Sequence, residues 1–274
     1  YPSIEKNLIY YLIILKKSVL FLHHAPNIGG ATVSGLNFLN TLDSEVYNIT
    51  VYCPTSSSSK AKNAFLNSGF KVINGGSSPS SFSHFSGGEY FFISPRVLIN
   101  IFKILKDFKN INHLIYKEKP DIVIVNSMTL FWIGKIAKKY NTKTICFVRE
   151  TYAKGLFGLR TSYIKRKISK YFDKVAFISD FDLQQSISLK CRKEVIYNSL
   201  NVESYDVLNK FNESTKLGFT NENFYFLFVG GMSKLKGAHI IIKALTKTHA
   251  KNIKLIFVGY TWNGKRKKIE DCKN

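Results

Sequence analysis

Four short stretches of the chain combine residue types that suit the binding of an anion. In "HHAPNIGGATVSG", residues 23–35, Gly29 and Gly30 stand directly before an amphipathic run that begins near Ala31. Backbone N–H groups and the positive end of a helix then face whatever approaches the glycines. In "ICFVRETYAKG", residues 145–155, an apolar run delivers Arg149 and Glu150 to its tip. A charged pair is costly to bury without partners, so it either reaches solvent or serves a site. In "FISDFD", residues 177–182, Ser179 reads first as a helix cap and second as a ligand contact. In "FVGGMSKLKG", residues 228–237, Gly230 and Gly231 follow a run of strand formers, and Lys236 and Gly237 precede a helix. That stretch is either a tight turn with a solvated lysine or a place where a phosphate meets the backbone and a point charge.

Placing these stretches requires a regular scaffold, and the pattern from Ser18 onward supplies one. Short apolar runs alternate with helical periodicity, which is the signature of parallel βαβ units. The spacing predicts strands at 19–23, 49–52, 70–73, 121–126, 144–148, 174–179 and 195–197, and all four stretches fall at strand carboxyl ends. Ligands of open α/β sheets bind at those ends. Helices are predicted at "ATVSGLNFLNTL", with Val33, Leu36, Leu39 and Leu42 as one apolar stripe, and at "LRTSYIKRKISKYF", with Leu159, Tyr163, Ile164, Ile168 and Phe172 on one side. The opposite side of the latter, with Arg166, Lys167 and Lys170, is a solvated surface or a face for a membrane or a phosphate-rich acceptor. "TSSSSKAKNAF" reads as a strand exit and a serine cap for a short helix, and the glycine- and serine-rich "NGGSSPSSFSHFSGGEYF" as a long loop that covers a site or is an unstructured insertion.

Composition narrows the partners. Forty Lys and Arg against eighteen Asp and Glu give a formal charge of +22, spread along the chain. Nucleic acid, an anionic membrane and phosphorylated small molecules all suit such a charge. No zinc finger, basic zipper or aromatic-basic RNA motif is present, which disfavours nucleic acid. Cys53, Cys146, Cys191 and Cys272 lie far apart, so neither a zinc site nor a disulfide framework is indicated, and a reducing cytoplasm fits. The apolar runs 8–15 and 19–22 are split by Lys16 and Lys17, and neither approaches the roughly 20 residues that span a bilayer. The dinucleotide fingerprint and the P-loop lysine are both missing near Gly29, which argues against NAD, FAD or a P-loop nucleotide.

A polar stretch after "VIYNSLNVESY" divides the chain. The expected organisation is an N-terminal extension (1–17), a Rossmann-like domain (18–200), a linker (201–223), and the start of a second α/β domain (224–274) with strand 224–229, helix 237–248 and strand 253–258. About fifty residues are too few to cover both faces of a larger sheet, so the second domain is expected to be incomplete and the chain to be a fragment.

In this order and spacing, "IGGATVSGLNFLNTL", "FDKVAFISDFDLQQSI", "VIYNSLNVESY" and "FVGGMSKLKGAHIIIKAL" resemble the motifs of the GT-B retaining glycosyltransferases called group 1 or family 4. The resemblance implies an α/β protein of GT-B fold, with two Rossmann-like domains facing a cleft. It implies transfer of a sugar with retention from a nucleoside-diphosphate sugar to a saccharide or lipid-linked acceptor, in cell-envelope polysaccharide synthesis. By the same resemblance Gly29, Gly30, Gly230, Gly231 and Lys236 attend the donor diphosphate, and Arg149, Glu150 and Asn198 lie on the acceptor side. Gly231 stands where relatives commonly carry an arginine. The glutamate pair that relatives use further downstream has no counterpart before Asn274, so the catalytic residues stay unassigned and this piece alone is expected to be inactive. No metal and no cofactor beyond the nucleotide-sugar substrate is implied, and the location implied is cytoplasmic or peripheral on the inner face of the cell membrane. A nucleotide-sugar epimerase of the same fold and a basic nucleic-acid-binding protein are the alternatives.

Overall fold

The computed structural model describes residues 16–53, 59–74, 95–152, 156–200, 218–230, 236–248 and 252–259. The chain divides into two compact units, Tyr1–Leu200 and Asn201–Asn274. The first is built on a seven-stranded sheet of order β3-β2-β1-β4-β5-β6-β7. Its strands are β1 (Lys17–Leu22), β2 (Tyr47–Cys53), β3 (Lys71–Asn74), β4 (Ile122–Val125), β5 (Lys143–Val148), β6 (Lys174–Phe177) and β7 (Arg192–Val195). Every pairing is parallel; Leu22 at the end of β1 stands beside Tyr52 of β2 and Val125 of β4. The apolar runs are nearly continuous because both faces of the sheet are covered, and alternate residues feed opposite layers. Leu20, Leu22, Val123, Val125, Cys146, Val148, Val175 and Phe177 join one core. Val19, Phe21, Ile124, Phe147 and Ala176 join the other.

The second core is closed by α1 (Gly30–Asn40) and α2 (Lys60–Asn67), whose buried hydrophobic residues there are Leu39, Ala61 and Phe65. The first is closed by α3 (Pro95–Glu118), α4 (Ile133–Lys139) and α5 (Leu159–Tyr171), through Ile111, Ile115, Ile133, Ile136, Ile164 and Ile168. A short α6 (Asp180–Gln185) follows β6. Ser59 caps α2 by accepting the Lys62 amide at 3.2 Å, and Ser179 caps α6 by accepting the Asp182 amide at 3.2 Å.

Helix faces depart from the sequence reading. In α1 the buried residues are Thr32, Gly35 and Leu39, while Val33 is exposed. A Cβ on Gly35 would lie 2.8 Å from Asn126 Nδ2 and 3.2 Å from the Phe21 ring, so this turn is held closest to the sheet by a residue without a side chain. In α5 the buried residues are Arg160, Ile164 and Ile168, while Leu159 and Tyr163 face outward. Of the extension expected at 1–17, residues 1–15 lie outside the described residues and Lys17 opens β1; of the long loop expected from 74 to 91, Asn74 ends β3 and the rest, like most of the linker, lies outside the described residues.

The second unit contains β8 (Phe224–Val229) and β9 (Ile253–Val258), parallel neighbours, and α7 (Ala238–Thr246). Both strands end on a glycine at φ +155, Gly230 and Gly259, a backbone state that other residues rarely adopt. Among the described residues no helix is long and apolar enough to cross a membrane.

Candidate functional site

Strand order reverses at β1, since the chain runs from β1 outward through β2 and β3 and then returns to place β4 on the other side. In open α/β sheets a crevice opens at the strand carboxyl ends beside such a point. The residues leaving β1 are His23 and His24, and those leaving β4 are Asn126 and Ser127. Their backbones are tied to the neighbouring strands by His23 N–H to Tyr52 O at 2.9 Å and Asn126 N–H to Leu22 O at 3.0 Å.

Asn126 is the hub. Its Nδ2 donates to the Ala31 carbonyl in the first turn of α1 at 2.8 Å and lies 3.0 Å from His23 Nδ1. Its Oδ1 accepts from Arg149 Nε at 2.7 Å. His23 Nε2 lies 3.1 Å from Thr32 Oγ1, which itself donates to the Asn27 carbonyl at 3.0 Å. This chain of partners fixes a neutral imidazole with the proton on Nε2. Burial, with the nearby His24 and Arg149, pulls His23 down to about 3. Burial and Arg149 pull His24 down to about 4, and its Nδ1 is buried without a partner among the described residues.

Arg149 lies over the Phe147 ring at 4.7 Å and donates through Nη1 to Asn198 Oδ1 at 3.0 Å. Burial lowers its pKa to about 10, with Glu150 opposing, so it stays charged at neutral pH. Its Nη2 is buried, with no partner among the described residues. Glu150 Oε1 accepts from Ser127 Oγ at 2.6 Å, while Oε2 is buried and has no partner among the described residues. Burial raises the Glu150 pKa, although Ser127, the amides of Met128 and Arg149, and the guanidinium act against it.

Beside the hub stands the amino end of α1. Gly29 is its cap residue, in an extended conformation at φ −148, and no side chain caps the helix. A Cβ at Gly29 or Gly30 would meet nothing within 4 Å, so neither the backbone nor local packing demands glycine there. The arrangement supplies helix-end amides, a fixed guanidinium and two uncharged imidazoles. Such a set suits an oxyanion or a hydroxyl-rich ligand.

Sequence reasoning selected Gly29, Gly30, Arg149, Glu150 and Asn198; the structure joins Arg149 to Asn198 directly and to the α1 first turn through Asn126. It missed His23, His24, Asn126 and Ser127; the paired histidines at a strand end were a visible signal. In the second unit Lys236 runs its stem beside Gly230, whose Cβ would lie 3.7 Å from Lys236 Cγ. Gly231 lies outside the described residues.

The family model described as Glycosyltransferase Family 4 matches residues 28–204, more than half of the chain. Among solved structures, Anabaena Alr3699/HepE in complex with UDP and glucose matches with TM-score 0.64 at 17% identity, over 90% of this chain and 62% of that one. Sucrose-phosphate synthase from Thermosynechococcus elongatus matches with TM-score 0.58 at 12% identity, over 89% and 62%. A glycosyltransferase from Rickettsia africae ESF-5 matches with TM-score 0.53 at 16% identity, over 89% and 68%. This chain therefore spans less than two thirds of the length of HepE, and likeness at such identities concerns the fold. No curated protein sequence matches the chain.

Proposed function

The chain belongs to glycosyltransferase family 4, has the α/β architecture of its GT-B members, and on that premise we propose that it moves a sugar from a nucleoside-diphosphate sugar to a saccharide or lipid-linked acceptor with retention of configuration. The setting proposed is cell-envelope polysaccharide synthesis at the cytoplasmic face of the membrane. The observation that carries this reading is the uncapped amino end of α1 at Gly29 and Gly30, joined through Asn126 to Arg149. HepE is in complex with UDP and glucose, which supports a nucleotide carrier for this chain.

Transfer leaves a diphosphate that gains negative charge as the bond to the sugar breaks. Donors already in place stabilise it without reorganisation. The amides of Gly30 and Ala31 are such donors, and Gly29 and Gly30 let phosphate oxygens come close because they present no side chain. In the second unit Gly230, Gly231 and Lys236 take the same role, with the Lys236 ammonium as a point charge. Arg149, Glu150 and Asn198 attend the acceptor, whose hydroxyls suit Arg149 Nη2 and Glu150 Oε2, both without a partner among the described residues.

Gly30→Pro tests this directly. Proline is tolerated at the first position of a helix, where it deletes one amide donor and leaves the fold intact. In calorimetry with UDP and GDP the substitution is expected to weaken binding of the preferred nucleotide by about 1.5–3 kcal/mol, the range for a hydrogen bond to a charged group, and Lys236→Ala by a similar amount. Unchanged affinity in both variants would reduce these glycines to a helix start and a turn. Retention is read separately from the anomeric configuration of the product by NMR.

A further inference from the structure

The layer made by α3, α4 and α5 carries a charge that its own acidic groups do not balance. Lys103, Lys106 and Lys109 on α3, Lys135 on α4, and Arg166 and Lys170 on α5 are all exposed. On α3 the acidic residues are spent elsewhere, since Asp107 is buried and Glu118 pairs with Lys71 at 3.2 Å. Asp173, which follows α5, pairs with Lys138.

On α3 the same face is also apolar. Phe102 is 69% exposed, Leu105 59% and Ile99 53%. Positions 99, 102 and 105 advance by three, and Lys106 and Lys109 lie four and seven residues from Phe102, so apolar tips and cations share one outward side of the helix. The opposite side, with Ile111, Leu114 and Ile115, is buried against the sheet. A helix of this kind, with large apolar side chains set among lysines, matches the chemistry of the boundary between phospholipid headgroups and acyl chains. Nucleic acid fits it less well, because the aliphatic Ile99 and Leu105 flank Phe102, whereas successive bases stack on successive aromatic side chains.

We propose that the outer face of α3, flanked by the cations of α4 and α5, is a docking surface for an anionic phospholipid bilayer, with Phe102 and Leu105 entering the headgroup region. The proposal rests on the membrane setting of the function above and not on sugar transfer, so its test uses no sugar and its failure leaves the transferase reading standing.

The test is sedimentation of the chain with vesicles of phosphatidylcholine alone or mixed with phosphatidylglycerol, at low and high salt. The unaltered chain is expected to pellet with the anionic vesicles and to be released by salt. Replacing Lys103, Lys106 and Lys109 by glutamine should lower partitioning roughly fivefold per lysine, the factor equivalent to about 1 kcal/mol each. Phe102→Ser with Leu105→Ser should lower it roughly tenfold while retaining the salt dependence. These side chains are exposed, and unchanged thermal unfolding verifies that both variants fold. Equal pelleting with neutral vesicles, or variants that pellet like the unaltered chain, would overturn the proposal. So would binding to an RNA oligonucleotide without vesicle binding, which gives the face to nucleic acid, or a dimer dissolved by the Phe102 and Leu105 changes, which gives it to a second copy.

Discussion

The buried histidines give the site a dependence on acid. His23 and His24 are held neutral in the fold, at about 3 and about 4, against 6.5 for a free imidazole. In that interval the unfolded chain binds protons that the folded chain does not, so stability is complete above 6.5 and falls as pH drops. The slope approaches about 1.4 kcal/mol per pH unit for each histidine. Urea unfolding at about pH 7 and about pH 5 should show a lower midpoint in acid, and His23→Gln should shrink that difference; equal midpoints for the unaltered chain would contradict the assignment. Arg149 was legible as a candidate because a charge directly after an apolar strand is unusual, and Gly29 and Gly30 because they precede an amphipathic run. Asn126 was not: an asparagine at a strand end looks like a turn residue, and its three partners, His23, Ala31 and Arg149, come from distant parts of the chain.

At the scale of elements, alternation of apolar runs with helical periodicity located the strands to within a few residues, because strands covered on both faces leave little choice of composition. Helix faces were less legible. In α1 the side against the sheet is Thr32, Gly35 and Leu39, and periodicity in large apolar residues cannot register a contact made by a missing side chain. The 24 residues of α3 escaped notice as a unit because apolar residues lie both inward, at Ile111 and Ile115, and outward, at Phe102 and Leu105. Gly35 and Gly29 provide a matched comparison. Gly35→Ala sets a methyl 2.8 Å from Asn126 Nδ2 and should cost about 1–3 kcal/mol, the usual range for overpacking. Gly29→Ala meets open space and should leave stability nearly unchanged. Denaturant titration of both variants checks the pair, and equal losses would show that Gly35 is not the point of closest approach.

For the whole molecule, a charge of +22 was evident from composition, but its meaning depends on arrangement. Exposed lysines on α3, α4 and α5 flank apolar side chains, whereas the cation beside the α1 amino end is the half-buried guanidinium of Arg149. The first group suits a surface and the second a small anion, a distinction that no count of charges contains. The polar stretch after residue 200 coincides with the division into two compact units, and in the second of them β8 and β9 each end on a glycine. The central claim is that a nucleoside diphosphate meets backbone amides at these places. Amide resonances of an isotope-labelled chain, followed by NMR while UDP or GDP is added, test it most directly. The amides of Gly30 and Ala31, and those of Gly230 and Lys236, should move in proportion to bound nucleotide, with the Arg149 side chain responding less. Saturating nucleotide that leaves Gly30 and Ala31 unmoved, or that moves only surface lysines on α3, α4 and α5, would contradict it.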